Sequence, residues 1–294
     1  MKIIKRIKAE IIDKPCILCR SIEYILKFSK NGFQIVVCKN CGLVKTIIPE
    51  NLDLGLIYDE SYFQGCQSDG YADYIGSEKV IKKEFNKILQ KLLEFVKPGP
   101  DNHLLEIGCA YGFFLDLAKE YFICSGIEIS IVAAENARKI CNNVICGTPD
   151  KETLKKIGKF NIVVMLDVIE HLPDPSETLK NIANYLPKGG IVLLTTGNIG
   201  SIYSWIAGEH WRLMTPPQHV TFFSRMSIRM LFEKHGFKII ELRAPIKAVP
   251  IGLALYQLTR KSNFKLPTSL IKYLSKVFIP INLFDTMRVI AIKL

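Results

Sequence analysis

The chain has 294 residues, which is enough for one large domain and a small accessory module. Its apolar content of 49% and charged content of 23% exclude a chain that is mostly disordered. The net charge of +11 is spread along the sequence, and the lysines are not interleaved with aromatics as in RNA-binding motifs. A nucleic-acid partner is therefore not expected. An anionic substrate, an anionic membrane surface or a generally lysine-rich composition each account for the charge.

The sequence carries no pattern of a secretion signal or of a membrane span. Residues 1–12 alternate lysine with isoleucine, and no stretch reaches the ~18 apolar residues that a transmembrane helix needs. We therefore expect a cytoplasmic protein, in which paired cysteines mark metal or redox chemistry more often than disulfides.

Four of the nine cysteines form two C-x-x-C pairs with 18 residues between them. Two such turns place four thiolates around one closed, tetrahedral Zn²⁺ site. Residues 24–28 and 33–37 have the pattern of strands, and Asn31-Gly32 between them favours a hairpin turn. We predict a structural zinc ribbon, with ordinary buried cysteines or a redox pair as the alternatives. The predicted ligands are Cys16, Cys19, Cys38 and Cys41.

Strand and helix patterns alternate through the rest of the chain. Helical spacing of apolar residues over 78–96, 130–140 and 175–186 separates short apolar runs. This alternation predicts an α/β fold with helices on both faces of a parallel sheet. The predicted strands span 103–107, 122–129, 143–146, 160–166 and 191–194.

The chain thereby divides into three parts. They are a ribbon module with its linker over 1–60, a connecting segment and helix over 61–100, and a main domain over 101–294 that contains a hydrophobic insertion at 245–283.

Residues suited to ligand binding follow the predicted strands. The first strand leads into the small-residue turn Gly108–Gly112 and then a helix, which brings a nucleotide-like ligand against the backbone. Glu128 ends the second strand, where a carboxylate can accept hydrogen bonds from both hydroxyls of a ribose. A dinucleotide enzyme is disfavoured because Phe113 stands where such enzymes have their third glycine.

These motifs resemble those of class I S-adenosylmethionine-dependent methyltransferases. Residues 104–112, Leu-Leu-Glu-Ile-Gly-Cys-Ala-Tyr-Gly, resemble the first motif of that family. Residues 167–175, Asp-Val-Ile-Glu-His-Leu-Pro-Asp-Pro, resemble its ubiquinone-biosynthesis branch. Residues 211–224 and the Tyr-Asp-Glu-Ser-Tyr-Phe stretch at 58–63 resemble members from glycan-modification clusters, which carry a four-cysteine front module. Residues 284–292 resemble the last, antiparallel strand, so the resemblance implies a Rossmann-like, seven-stranded, otherwise parallel sheet.

Two positions depart from the family pattern. Ala110 replaces the central glycine of the first motif, and we expect donor binding to survive if its φ is negative. Asn161 replaces an aspartate at the start of the fourth strand, away from the donor.

The resemblance also implies a donor site. The Gly108–Gly112 turn would lie under the methionine part of S-adenosylmethionine, Glu106 would hold its amino group, Glu128 its ribose and Thr148 the edge of its adenine, while Asp167 closes the pocket. The implied cofactor-binding residues are Glu106, Gly108, Cys109, Ala110, Gly112, Glu128, Ile129, Thr148, Asp167 and Val168.

The implied reaction is the transfer of a methyl group to a small molecule. The favoured acceptor atom is an oxygen, and the favoured acceptor is a sugar, a glycan precursor or a lipid-linked compound. C-methylation of a nucleotide sugar and a catalytically silent module that binds the cofactor are the alternatives. An RNA methyltransferase is disfavoured because no Asn/Asp-Pro-Pro-Tyr motif follows the fourth strand. His171 and His219, the latter on an expected lid, are the candidate bases, with structural roles as the alternative. Trp211 is expected either to stack on a ring acceptor or to pack in the core.

Two further hypotheses concern a cation and a membrane. Three carboxylates, Asp167, Glu170 and Asp174, would hold a divalent cation if they converge. Within 245–283, one helical face would carry Leu270, Ile271, Leu274, Val277 and Phe278. A basic amphipathic helix of this kind binds an anionic surface, here the inner face of the membrane. A cover over the active site or a dimer contact is the alternative.

Overall fold

The computed structural model describes residues 10–11, 14–49, 52, 74–245, 247–250 and 278–294. The strands are β1 (Glu10–Ile11), β2 (Glu23–Lys30), β3 (Phe33–Cys38), β4 (Val44–Thr46), β5 (His103–Ile107), β6 (Ile123–Glu128), β7 (Val144–Cys146), β8 (Ile162–Leu166), β9 (Ile191–Gly197), β10 (Thr221–Phe222), β11 (Phe237–Arg243), β12 (Lys247–Pro250), β13 (Phe278–Ile281) and β14 (Thr286–Lys293). The helices are α1 (Glu78–Leu93), α2 (Phe113–Ala118), α3 (Ile131–Arg138), α4 (Lys151–Ile157), α5 (Pro175–Tyr185), α6 (Ile202–Ala207) and α7 (Arg225–Lys234), and a 3₁₀ helix spans Gly208–His210.

The first sheet is antiparallel and has the order β1-β2-β3-β4-β10. Its hairpin β2–β3 turns at Asn31 and Gly32, whose φ angles of 51° and 81° are left-handed. Such angles suit the two-residue turn that asparagine-glycine favours, because its twist matches that of the flanking strands. The hairpin predicted at this pair is confirmed.

The second sheet has seven strands in the order β11-β14-β9-β8-β5-β6-β7. β14 is antiparallel to both of its neighbours, and the pairs from β9 to β7 are parallel. This sheet confirms the predicted α/β class with a reversed last strand. The carboxyl ends of the parallel strands meet at one edge, which is where ligands bind in such sheets.

Pairing with β14 lengthens β9 beyond its predicted end. The sequence places that end near residue 194, yet β9 continues to Gly197 because Thr286 and Met287 pair with Gly197 and Thr196. A contact so distant along the chain leaves no local pattern in the fifth strand.

Two apolar clusters cover the faces of the main sheet. Leu89 and Leu92 of α1 are buried on one face together with Phe114 of α2. On the other face, α5 and α7 pack in one cluster with buried ribbon residues such as Cys16 and Tyr24. The ribbon therefore shares the hydrophobic core of the main domain, in which truncation of a buried leucine or phenylalanine to alanine costs about 2–5 kcal/mol.

A backbone contact also joins the ribbon to the main domain. β10 extends the ribbon sheet, since Thr221 and Phe222 pair with Lys45 and Val44 of β4. The buried Thr46 hydroxyl donates a 2.7 Å hydrogen bond to the carbonyl oxygen of His219. The predicted domain borders remain predictions, but the ribbon is held firmly over the edge of the main sheet.

The insertion predicted at 245–283 lies largely outside the described residues, as do residues 58–63. Its described ends form a two-stranded antiparallel sheet of β12 and β13. Phe278 belongs to β13, so its predicted place on a helical face is wrong: the backbone pairs there with β12 instead. In the part of the chain that the structure describes, no helix is long and apolar enough to span a membrane.

Candidate active site

A cavity of about 1040 Å³ lies between the ribbon and the carboxyl ends of β5, β6 and β8. Nine of the ten predicted cofactor residues line it. The exception is Gly112, which packs against Ala137 of α3. The nine are Glu106, Gly108, Cys109, Ala110, Glu128, Ile129, Thr148, Asp167 and Val168.

The turn after β5 needs its two outer glycines. Gly108 has a φ of 71°, and a Cβ atom there would lie 2.5 Å from Cγ2 of Val168. Gly112 has a φ of 79°, and its Cβ would lie 3.2 Å from Cα of Ala137. A side chain at either position meets both backbone strain and a close neighbour, so both positions require glycine.

Ala110 adopts a φ of 46°, so the condition of a negative φ, on which the sequence analysis based its expectation of donor binding, is not met. A non-glycine residue in this left-handed region costs about 1–2 kcal/mol. The conformation lets the Ala110 amide donate a 2.8 Å hydrogen bond to Oε2 of Glu128. A hydrogen bond to a charged group offsets a cost of this size.

Glu128 is held at the end of β6 by two backbone amides. Besides Ala110, the amide of Ser130 donates to Oε1 at 2.9 Å. Burial raises the pKa of the Glu128 carboxyl, and the hydrogen bonds from Ser130 and Ala110 oppose that shift. Each oxygen keeps a further lone pair, so the carboxylate can accept hydrogen bonds from a ligand in the cavity.

Glu106 lies beside Glu128 in the cavity wall. Within the described residues, its buried Oε2 has no hydrogen-bond partner. Burial raises the pKa of the Glu106 carboxyl well above its ordinary range, and the charge of Glu128 adds to the shift. A buried carboxyl oxygen without a partner is unfavourable until a donor, such as an ammonium group, reaches it.

Two further polar side chains from the predicted set line the cavity near Glu106 and Glu128. Asp167 has a φ of 55° and accepts a 2.8 Å hydrogen bond from the hydroxyl of Thr195. Thr148 donates to the carboxylate of Asp150 at 2.9 Å. Thr195 and Asp150, which hold these two side chains in place, are not among the residues predicted from the sequence.

His171 and His219 form a pair with ring centroids 4.5 Å apart and planes at 83°. Nδ1 of His171 lies 3.0 Å from the carbonyl oxygen of Gln218, and Nδ1 of His219 lies 2.6 Å from that of Leu213. Each Nδ1 therefore carries the proton, and each Nε2 is the acceptor atom. Burial lowers the pKa of His171 to about 4 and that of His219 well below its usual value.

The lid expected at His219 is wrong. This side chain is 8% exposed, because β10 and the ribbon enclose the segment that carries it. His171 lines the cavity, and His219 lies behind it.

Trp211 packs in the core. Its ring is buried against Gly197, and its indole nitrogen donates a 3.1 Å hydrogen bond to Asp285. The same carboxylate pairs with Arg212 at 3.0 Å. Of the two predicted roles for Trp211, the packing role is the one that these contacts support.

The three predicted cation ligands do not converge. Asp174 caps α5 by accepting from the amide of Glu177 at 2.8 Å, while Asp167 is bound to Thr195. Glu170 instead groups with His171 and His219, with potential ligand atoms within 4.8 Å of one another.

The four ribbon cysteines do converge. Their sulfur atoms lie within 4.8 Å of one another, with 3.5 Å between those of Cys16 and Cys41 and between those of Cys19 and Cys38. Four thiolates around Zn²⁺ at 2.3 Å are about 3.8 Å apart. The cluster is compatible with the predicted zinc ribbon.

The ribbon side of the cavity contains residues that sequence reasoning missed. Lys14, Arg20 and Lys45 line it from the ribbon. Their position depends on the pairing of β4 with β10, which joins residues far apart in the sequence. Because β10 has only two residues, the sequence carries no strand pattern that would predict this pairing.

Comparisons with known proteins agree with this geometry. A family model described as a methyltransferase domain matches residues 80–242. A ubiquinone biosynthesis O-methyltransferase of Coxiella burnetii is 26% identical over 169 residues, which cover 53% of this chain and 72% of that protein. The enzyme of the same name from Colwellia psychrerythraea is 26% identical over 157 residues, which cover 48% of this chain and 63% of that protein.

The fold has solved counterparts. The crystal structure of a SAM-dependent methyltransferase from Archaeoglobus fulgidus superposes with a TM-score of 0.53 at 20% identity, covering 82% of this chain and 100% of that one. At this identity the likeness concerns the fold alone.

The family model and the curated relatives, together with the sheet order, define a SAM-dependent methyltransferase. Because the family model spans more than half of the sequence, the chain belongs to that methyltransferase-domain family. The predicted family is confirmed, while the roles of individual site residues remain predictions.

The left-handed Ala110 gives a direct test of the turn. Ala110→Gly should leave the free energy of unfolding unchanged or raise it by up to about 1 kcal/mol, because glycine relieves the positive φ. Ala110→Val should lower it by more than about 1 kcal/mol. Urea unfolding measures both. A loss of about 0.5–1 kcal/mol in Ala110→Gly would indicate a negative φ and contradict this turn.

Proposed function

We propose that this enzyme methylates a hydroxyl oxygen of an anionic small molecule, which is a sugar, a glycan precursor or a lipid-linked compound. The observation that carries the proposal is the charge of the ribbon wall, which faces the donor end of the cavity. A lipid-linked acceptor would also bring the enzyme to the inner face of the membrane, the peripheral location considered from the sequence.

The ribbon wall is basic. Lys14, Arg20 and Lys45 line the cavity, and among the described lining residues the ribbon contributes no carboxylate. Lys45 is partly buried, with Nζ 4.4 Å from the ring centroid of Tyr24, and burial lowers its pKa. A cation removed from water gains more from an anionic ligand than a solvated one does, so the wall favours a phosphate or carboxylate on the acceptor.

The donor residues fit S-adenosylmethionine. Oε2 of Glu106 is a buried acceptor suited to the ammonium group, and Glu128 is positioned to bind the ribose hydroxyls. Thr148 lies at the adenine edge, and Asp167 closes the methionine end. When bound, S-adenosylmethionine supplies a sulfonium methyl group as the electrophile, so the residues of this chain mainly have to align the acceptor with it.

The acceptor hydroxyl meets the wall at His171, which lines the cavity between the donor end and the ribbon. Its Nδ1 is bound to the carbonyl oxygen of Gln218, so Nε2 is the acceptor atom of the ring. His219 supports that ring from behind. These contacts favour His171 over His219 as the group nearer the reacting oxygen.

The four cysteines are proposed to hold a structural Zn²⁺. All four tetrahedral positions would be filled by protein sulfur, which leaves none for a substrate. The ion would fix the two turns on either side of β2–β3 and thereby the basic wall.

Donor binding is expected to depend on Glu128. Glu128→Ala should raise the Kd for S-adenosylhomocysteine at least about 100-fold, since each hydrogen bond to a carboxylate is worth ~1.5–3 kcal/mol. Isothermal titration of the folded variants measures it, with exposed Glu177→Ala on α5 as the control. An unchanged Kd in folded Glu128→Ala would refute this donor site.

Acceptor preference is tested by transfer of a labelled methyl group. The enzyme should methylate phosphorylated or lipid diphosphate-linked sugars and not the matching neutral sugars. Lys45→Gln and Arg20→Gln should raise KM for those acceptors about 10–100-fold with little change in kcat, because each removes a charged contact. Lys188→Gln, on the exposed surface, is the control.

Three other outcomes separate the alternatives. Equal rates on neutral and anionic sugars would overturn the anionic acceptor. A product methylated at carbon, identified by NMR, would favour the C-methyltransferase. Donor binding without transfer to any acceptor would favour the catalytically silent module.

Zinc content tests the ribbon. The purified protein should contain Zn²⁺ in its thiolate site, and Cys38→Ser should lose one equivalent together with part of the stability, because ligand loss unfolds the turn. Cys124→Ser, at a partly buried cysteine in β6, is the control and should keep its zinc. Equal zinc content in Cys38→Ser and wild type would contradict this ligand set.

A further inference from the structure

A tyrosine of the ribbon lies between the cysteine cluster and the basic wall of the cavity. Tyr24 of β2 lies opposite Cys38 of β3 in the antiparallel sheet. Lys45 of β4 lies opposite Val36, two residues before Cys38 on the same strand. Side chains two residues apart on a strand share a face, and directly opposite residues do so too. Tyr24, Cys38 and Lys45 therefore lie on one side of the ribbon sheet.

The hydroxyl group of Tyr24 lies beside the sulfur cluster. The side chain is 1% exposed, and its oxygen has no hydrogen-bond partner among the residues that the structure describes. Burial raises the pKa of this hydroxyl, and the charges of Cys16 and Cys38 beside it add to the shift. A buried hydroxyl with no partner is unfavourable, so a hydrogen-bond acceptor on the cluster would stabilise it.

Zinc would turn the cluster into such an acceptor. A neutral thiol is only a weak acceptor, whereas four thiolates on one Zn²⁺ leave two net negative charges on the cluster. Groups that form hydrogen bonds with metal ligands from behind hold most metal sites in shape. Tyr24 stands where such a group would be, beside Cys16.

The face of the same ring holds Lys45. Its Nζ atom lies 4.4 Å from the ring centroid of Tyr24 and donates a 3.4 Å hydrogen bond to the carbonyl oxygen of Lys14. An ammonium group over an aromatic face is attracted to the electrons of the ring, and the attraction is stronger where water is excluded. Because Lys45 lines the cavity, the place of its charge there depends on how the ring of Tyr24 is oriented.

We propose that Tyr24 is a positioning residue that couples zinc in the ribbon to the binding of the acceptor. Its hydroxyl donates to the zinc-bound thiolate of Cys16, which fixes the ring, and the ring holds the charge of Lys45 toward the anionic group of the acceptor. The inference rests on the proposed function, since it takes the acceptor to be anionic. Loss of zinc releases the ring, so the enzyme binds its acceptor less tightly while donor binding at Glu128 is retained.

Zinc affinity tests the contact between Tyr24 and the cluster. On the full chain, Tyr24→Phe keeps the ring and removes the hydroxyl, and it should raise the Kd for Zn²⁺ about 10–100-fold, as is usual when a group behind a metal ligand is changed. Competition with a chromophoric chelator measures this Kd. The control is Tyr185→Phe, whose hydroxyl donates to the carbonyl oxygen of Lys151 in the main domain. An unchanged Kd in folded Tyr24→Phe would overturn the proposal.

Acceptor kinetics test the contact between Tyr24 and Lys45. With zinc saturating, Tyr24→Phe should raise KM for a phosphorylated sugar acceptor at least about 5-fold with kcat unchanged. In the Lys45→Gln background the same substitution should have no further effect, because the charge that the ring holds is already gone. Effects that multiply independently would overturn the coupling and leave the proposed function intact. An unchanged KM in Lys45→Gln alone would contradict the proposed function instead.

A measurement on the wild type needs no variant. The ε-methylene protons of Lys45 should give an NMR signal shifted upfield by the ring of Tyr24, in contrast to those of exposed Lys27 on β2. Removal of zinc by a chelator should move the Lys45 signal toward that of Lys27, and return of zinc should restore it, while the protein binds S-adenosylhomocysteine throughout. A Lys45 signal that does not respond to zinc, or loss of donor binding together with the shift, would each overturn the proposal.

Discussion

The pairing of β4 with β10 is the contact on which the active site depends. Two residues of the main domain, Thr221 and Phe222, continue the antiparallel sheet of the ribbon. This short ladder sets the ribbon over the carboxyl ends of the parallel strands and so turns an open sheet edge into a cavity. It also fixes residues 219–221, and with them His219, against Glu170. In this way the ribbon shapes a cavity that its own four clustered cysteines do not line.

The part of the cavity that holds Ala110, Glu106 and Glu128 depends on a different constraint, which is local backbone strain balanced by hydrogen bonding. Left-handed Ala110 directs its amide to Glu128, while Gly108 leaves room for Val168. Both features keep the backbone close to the ligand and hold two buried carboxylates side by side. Without a bound cation or hydrogen-bond donor this arrangement is unfavourable, which is why such strain accumulates at functional sites.

The sequence was sufficient for features that are encoded locally. The paired cysteines, the Asn31-Gly32 turn and the alternation of strands and helices all predicted their structures, because each pattern reflects a geometry of a few residues. The family resemblance then supplied the reversed strand and the set of donor residues, nine of which line the cavity. The fold was therefore largely predictable, and the residues predicted to bind the donor were mostly placed around one cavity.

Features that depend on contacts between residues far apart in the sequence could not be predicted. The left-handed φ of Ala110 arises from a hydrogen bond to Glu128, 18 residues further on. The buried position of His219 and the basic wall of Lys45 follow from β10, a strand of two residues with no pattern of its own. Phe278 pairs as a strand because β12 lies opposite it. Each of these outcomes was determined by tertiary pairing, which local propensity does not record.

The most direct test of this account is a crystal structure of the zinc-loaded enzyme with S-adenosylhomocysteine. The account predicts zinc anomalous signal among the four cysteines, the ribose on Glu128, and the ribbon residues Arg20 and Lys45 facing the ligand across one cavity. A ligand bound at Glu128 with the ribbon turned away from the sheet edge, and no contact between β4 and β10, would contradict it.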